Sequence, residues 1–236
     1  RYLSSAASDV YKRQLQKFAS ERLKGMSASS VLIDINSGDI LSLVSTPSYN
    51  PNNFVLGISQ SDWSALLNDE RKPLLNKATS GAYPPGSTFK MVVAAAALEL
   101  GLIGLNDKIF CAGFYELGSR KFHCWLKGGH GKLTLQEGIQ KSCDVYFYEL
   151  ARKVGVKRIG DMARRLGLGQ AYDLPLTGLS KGFVPTKKWK KERFGTSWLV
   201  GDTLNVGIGQ GFSLATPLQL AVMTARLASG KEVRPN

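Results

Sequence analysis

Tyr83-Pro84-Pro85-Gly86-Ser87-Thr88-Phe89-Lys90 is the stretch on which the reading of this chain turns. Two prolines and a glycine cannot continue a helix or a central strand, so residues 83–86 form a tight turn. The next run, Met91 to Leu100, is apolar and helix-forming, and Gly101 stops it. Ser87 is therefore expected at the cap of a helix reaching Leu100. At such a helix start, Ser87 and Lys90 are i and i+3 neighbours on one face, so the amine can reach the hydroxyl. A serine hydroxyl is a poor nucleophile until a base within hydrogen-bond reach takes its proton. A lysine kept neutral by burial and cationic neighbours can be that base. The helix N-terminus adds a positive field and free N–H groups that favour an oxyanion in acyl transfer. Ser-x-x-Lys alone describes many exposed helix residues. The proline turn before it and the apolar helix behind it make this one a site.

A second piece lies downstream. Ser142-Cys143-Asp144 sits between two helical stretches. A serine there can relay a proton to a leaving amine, and Asp144 can accept from Lys90 or from substrate. The tripeptide by itself is commonplace, and its weight comes from the first motif.

Outward from these motifs, Leu15 to Leu23 has helical apolar spacing. Val31-Leu32-Ile33 and Ile40 to Val44 read as strands of a hairpin turned by Asn36-Ser37-Gly38-Asp39. Pro47 to Asn53 is loop. Leu133 to Val154 is a second helical region with Gly155 as its stop, and Val156 to Leu166 is a third. Residues 181–200 form a basic, Trp-containing connection. Thr216-Pro217 opens a last helix that Gly230 closes. The fold class is α+β, rich in helix, with no internal repeats. Ser4 to Gln14 does not flow into the pattern that begins at Leu15. Residues 1–14 are expected to be a non-native N-terminal segment ahead of one domain, 15–236.

The 236 residues are 43% hydrophobic, enough for a core of that size, and the net charge of +13 favours an anionic partner. No nucleic-acid motif is present, so nucleic acid is not the expected partner. The apolar run Met91 to Leu100 falls short of the roughly 20 residues that span a bilayer. The start, Arg1-Tyr2-Leu3-Ser4-Ser5, has no signal-peptide character. Lys187-Lys188-Trp189-Lys190-Lys191-Glu192-Arg193 is a charge run, read either as solvated surface or as a contact for anionic glycan-peptide strands or lipid head groups.

The three cysteines and one histidine share a window: Cys111, Cys124, His130 and Cys143, spaced C-x12-C-x5-H-x12-C. Four such ligands make a closed set for tetrahedral zinc, although no C-x-x-C clamp is present. Buried free thiols, or one disulfide plus a spare thiol, satisfy the same spacing. His123 competes as a ligand but lies beside Cys124 and is less well placed.

The 83–90 stretch, Ser142-Cys143-Asp144-Val145-Tyr146-Phe147-Tyr148, and Gly207-Ile208-Gly209-Gln210-Gly211 with the later Ala215-Thr216-Pro217-Leu218-Gln219 together resemble the class B penicillin-binding proteins, in particular their elongation transpeptidases. The likeness covers roughly residues 15–236. It implies a penicillin-binding protein transpeptidase fold, shared with serine β-lactamases. It also implies that Ser87 is acylated by peptidoglycan stem peptides or by β-lactams, that Lys90 is the base, and that Ser142 and Asp144 form the second motif. Asp144 stands where many members have Asn. The family raises the zinc reading, because its elongation members carry a metal site near the active serine, with Asp at some positions where this chain has Cys. A structural zinc on Cys111, Cys124, His130 and Cys143 would pin the second motif. Further implications are an inner-membrane anchor, a periplasmic location, and a polytopic glycosyltransferase of the elongation machinery as partner. The family's third motif, Lys-Thr-Gly or Lys-Ser-Gly, does not follow Gly211. The chain is therefore expected to stop before that motif and the C-terminal sheet strands. Two other classes share Ser-x-x-Lys: a serine β-lactamase or β-lactam sensor, and a non-catalytic scaffold. No Glu is identifiable as a deacylating base, and the intact Ser87 and Lys90 argue against a scaffold.

Overall fold

The computed structural model describes the backbone of residues 2–236 and the side chains of residues 10–236. The chain divides into two compact units. The first takes in the residues up to Ala82 together with 171–181 and 216–236; the second takes in 83–170 and 182–215.

In the first unit, α1 (Tyr2–Arg22) leads into the hairpin of β1 (Ala28–Ile33) and β2 (Ile40–Thr46). The helix starts well before the expected Leu15, since neither glycine nor proline interrupts the chain ahead of Gly25. The strands pair antiparallel from Ala28↔Thr46 to Leu32↔Ser42, then bulge before Ile33↔Ile40. Their turn is organised by Asp34, whose carboxylate accepts the N–H groups of Asn36 at 2.7 Å and Ser37 at 3.1 Å. Those two donors hold the Asp34 carboxyl below the usual carboxylate range. A side chain from α1 covers part of the free edge of β2. Gln16 Oε1 accepts from Leu43 N at 2.8 Å, and its Nε2 donates to Leu43 O at 2.7 Å. The amide thus takes the place of a neighbouring strand. Pro51–Phe54 forms a short 3-10 turn where loop was expected, and α2 (Gln60–Asn68) comes next, capped by Ser59.

The second unit begins at the tight turn. A 3-10 turn over Gly86–Phe89 feeds α3 (Lys90–Glu99). Ser87 is therefore not the cap of the α-helix, as expected, but lies inside the preceding 3-10 turn. Two prolines remove the N–H groups that a longer α-helical start would use. Val92, Val93 and Ala97 of α3 are fully buried, as are Leu150, Ile159 and Leu204 from the helices around it. A helix apolar on all sides belongs in such a core.

Four short strands come after α3: β3 (Ile109–Cys111), β4 (Phe114–Leu117), β5 (Arg120–His123) and β6 (Gly131–Leu133). β3 pairs with β6 and β4 with β5, both antiparallel. At three or four residues each, they are too short for alternation to mark them in the sequence.

The helical region expected over Leu133–Val154 is two helices, and Ser142 and Cys143 lie between them, as expected of a tripeptide set between two helical stretches. α4 (Leu135–Gln140) opens with a Thr134/Glu137 capping box, and α5 (Asp144–Val154) takes Cys143 as its cap. Between them Ser142 adopts φ +48°. Gly155 separates α5 from α6 (Val156–Arg165).

The basic stretch is not a plain connection either. It forms α7 (Lys187–Phe194), capped by the Thr186 hydroxyl. Lys190 of this run is buried and pairs with Asp202, while Trp189 packs among Phe183, Phe194 and Phe212. The other basic side chains keep the run's solvated character, and Trp189 anchors it.

α8 (Val200–Gly207) lies close against α5, because a Cβ at Gly207 would stand 2.4 Å from that of Ala151. The chain then returns to the first unit with α9 (Pro217–Ser229), opened by a Thr216/Gln219 capping box and closed by Gly230. No described helix is long and apolar enough to cross a membrane.

Candidate active site

All the residues of both motifs lie in the second unit. Lys90 occupies the first position of α3 and is 2% exposed. Its Nζ makes three hydrogen bonds: to Ser142 O at 2.7 Å, Ser142 Oγ at 3.0 Å and Asp144 Oδ1 at 2.7 Å. Ser142 Oγ in turn donates to Ser87 Oγ at 2.8 Å. The expected direct reach of Lys90 to Ser87 is thus replaced by a path through Ser142. The 3-10 turn itself keeps the two residues in line, with the Lys90 N–H donating to Ser87 O.

The turn that carries Ser87 is tied at its back. Gly86 N donates to Gly209 O at 2.9 Å, and the two backbones approach so closely that a Cβ on Gly209 would lie 2.0 Å from Gly86 O. Both glycines have positive φ, +57° at Gly86 and +71° at Gly209. Tyr83 and Ala215 add a backbone bridge at the same end, with N–H···O distances of 2.9 and 2.8 Å.

Asp144 is held from its other side. Its Oδ2 accepts the backbone N–H of Trp125 at 3.0 Å. The indole Nε1 of the same Trp125 donates to Lys141 O at 3.1 Å, and its ring meets His130 edge to face at 5.2 Å.

Immediately behind lie Cys111, Cys124, His130 and Cys143. One ligand atom from each falls within 4.8 Å of the other three. The cysteines are 0–4% exposed and form no disulfide. His130 Nδ1 stands 3.7 Å from Cys111 Sγ and 3.6 Å from Cys124 Sγ, and its buried Nε2 has no hydrogen-bond partner among the described residues. Burial pushes the Cys143 thiol up, and the neighbouring Cys111 and Cys124 add to the shift. Burial pushes His130 down, helped by the Lys141 charge. A divalent cation would draw the thiols to thiolate and keep the imidazole neutral, because those forms are its ligands. The cluster can hold a metal ion. His123, the competing ligand, is not in it.

Comparison with known proteins places this geometry. The model of the penicillin binding protein transpeptidase domain matches residues 28–236. The chain belongs to that family. Peptidoglycan D,D-transpeptidase MrdA of Escherichia coli (strain K12) is 43% identical over 221 residues, which is 92% of this chain and 35% of that protein. This transpeptidase chain thus spans about a third of the length of its curated relative. The crystal structure of Pseudomonas aeruginosa PBP2 in complex with WCK 5153 superposes with a TM-score of 0.90 at 40% identity, covering 94% of this chain and 51% of that one. PBP2 of Helicobacter pylori, solved in complex with MreC, gives 0.89 at 40% identity, covering 94% and 42%.

Within this chain, every candidate site residue named from the sequence comes together: Ser87, Lys90, Ser142 and Asp144 in one group, and Cys111, Cys124, His130 and Cys143 in the next. Three participants had no sequence signal as site residues. Trp125 gives none because a tryptophan beside a cysteine reads as core, yet it is 62% exposed. Gly86 and Gly209 stand in motifs that assign them no role, and their pairing is a tertiary contact.

Proposed function

We propose that the protein is a peptidoglycan D,D-transpeptidase that works through an acyl-Ser87 intermediate and is covalently inhibited by β-lactams. The observation that carries this reading is the hydrogen-bonded path Ser87 Oγ–Ser142 Oγ–Lys90 Nζ, at 2.8 and 3.0 Å. With Lys90 as the neutral amine, two N–H groups on Ser142 O and Asp144 Oδ1 and its lone pair facing Ser142 Oγ, Ser87 Oγ attacks the carbonyl of the penultimate D-Ala; the Ser87 proton passes to Ser142 Oγ as the Ser142 proton passes to Lys90 Nζ. The same path run backwards delivers the proton to the departing D-Ala amine as the peptide bond breaks. An amine from a neighbouring stem then attacks the ester and restores the Ser87 hydroxyl. Asp144 orients Lys90 throughout.

Zinc is the ion assigned to the thiol cluster, in a structural role. Bonds of about 2.3 Å to sulfur and about 2.0–2.1 Å to nitrogen at a tetrahedral centre give S···N separations of about 3.6 Å. The distances of 3.7 and 3.6 Å support this assignment. Three sulfurs and one nitrogen are also the donor set of a closed structural site rather than an open catalytic one. Cys143 lies between Ser142 and Asp144, so the ion would fix the segment that carries both.

The inner-membrane anchor, the periplasmic location and the glycosyltransferase partner are assigned from family membership. Residues 1–14 remain assigned as a non-native segment ahead of the 15–236 domain. The family match, which begins at Ala28, is compatible with that boundary.

Incubating the purified full-length protein with a fluorescent penicillin tests the reading. A stable covalent adduct is expected. Rapid release of hydrolysed penicillin would make the protein a β-lactamase, and absence of any adduct would make it a scaffold.

A further inference from the structure

We propose that Trp125 is a positioning residue for acyl transfer: its two N–H groups clamp the second motif on both sides of Ser142. The inference rests on the transpeptidase reading above and extends it to a residue outside the motifs. Ser142 is one of two non-glycine residues with positive φ among the described residues, at +48°. A serine in that region is disfavoured and persists only when its surroundings over-determine it. Cys143 does part of this from within, by capping α5. Trp125 acts from outside the segment. Its indole Nε1 donates to Lys141 O at 3.1 Å, on the residue just before Ser142. Its backbone N–H donates to Asp144 Oδ2 at 3.0 Å, on the residue two after.

The second of these bonds bears directly on the proton path. With Oδ2 taken up by Trp125, Oδ1 is left facing Lys90 at 2.7 Å. Lys90 is thereby held where its Nζ also meets Ser142 Oγ. The indole is largely exposed, so its place is not explained by burial. A large exposed aromatic ring with its one polar atom bonded to a backbone carbonyl is fixed by that bond and by the edge-to-face contact with His130. The side chain orients its own backbone N–H, and through it the carboxylate. Trp125 touches none of the reacting atoms in this arrangement; it acts through Asp144 and Lys141.

The experiment separates positioning from ligand contact. In the full-length protein, penicillin acylation is followed by stopped flow to resolve the pre-acylation dissociation constant from the acylation rate constant. W125F is expected to lower the rate constant about tenfold, the scale of one hydrogen bond's net contribution, and to leave the dissociation constant unchanged. A weakened dissociation constant with an unchanged rate constant would overturn the proposal, since the indole would then be a ligand contact. No change in either would overturn it as well. If W125F fails to fold, benzothienylalanine at position 125 keeps the ring and removes only the indole N–H, and the same two constants decide. Failure of the parent protein to acylate at all would strike the transpeptidase reading instead.

Discussion

Ser87→Ala abolishes covalent labelling by fluorescent penicillin while leaving the fold intact. The expectation comes from the number of nucleophiles at the end of the proton path. Ser142 Oγ is the other hydroxyl on that path, but it is bonded on one side to Lys90 and on the other to Ser87. Removing the Ser87 oxygen deletes the attacking atom and leaves Ser142 behind the site. Gel fluorescence at saturating penicillin reads the result, and labelling that persists in the variant would show that another oxygen attacks. Lys90→Ala should slow acylation by about 10² or more, the usual scale for loss of a general base. It also strips Asp144 of its buried partner, so the variant's melting temperature should be measured alongside. An unchanged acylation rate would mean that another group takes the proton.

Much of this site was legible in the sequence, because local chemistry decided it. The Pro84-Pro85-Gly86 turn and the apolar run to Leu100 set Ser87 and Lys90 at the start of a buried helix without help from the rest of the chain. The four metal-site residues were legible for a different reason: their side-chain types have few other uses together. What escaped was set by tertiary contacts. Ser87 lies in a 3-10 turn three residues before the α-helix, and the Gly86–Gly209 bond that ties this turn comes from far along the chain. The break at Ser142 carries neither glycine nor proline, so its positive φ left no mark in the sequence even though the motif was placed between two helical stretches. The strands β3 to β6 are held by pairing rather than by pattern. α7 was hidden because a run of lysines around one tryptophan lacks an apolar face, although Thr186 supplies its cap.

The second large effect concerns the thiol cluster. The purified protein should contain about one zinc per chain, and prolonged exposure to a strong chelator should strip it with a steep loss of stability. Structural zinc contributes on the order of 10 kcal/mol in small domains, and even a few kcal/mol lost from a chain of this size lowers the melting temperature by about 10 °C. The physical reason is the surroundings of the ligands. Three buried sulfurs and the Nδ1 of His130 are packed within a few ångströms of one another, an arrangement that a cation at their centre would hold. Cys111→Ser should reduce both metal content and melting temperature, since serine is a poor zinc ligand. Cys111 lies on β3, well apart in sequence from Ser142, so an accompanying fall in penicillin acylation would report the coupling of the cluster to the second motif. Metal content and stability that do not respond to the chelator or to Cys111→Ser would dismiss the site as a zinc centre.

The close approach of Gly209 to Gly86 also has an evolutionary consequence. Every single-nucleotide change that replaces a glycine codon by another amino acid introduces a side chain carbon. At position 209 that carbon would overlap the Gly86 carbonyl, 2.0 Å away, and force the nucleophile turn to move. On the transpeptidase function proposed above, a single-step change at this residue offers no route to β-lactam escape that keeps the Ser87 turn in place. In a saturation library of position 209 scored for penicillin labelling, the column should be blank apart from synonymous changes. Resistance would have to arise at neighbouring positions where a side chain already exists and can be exchanged.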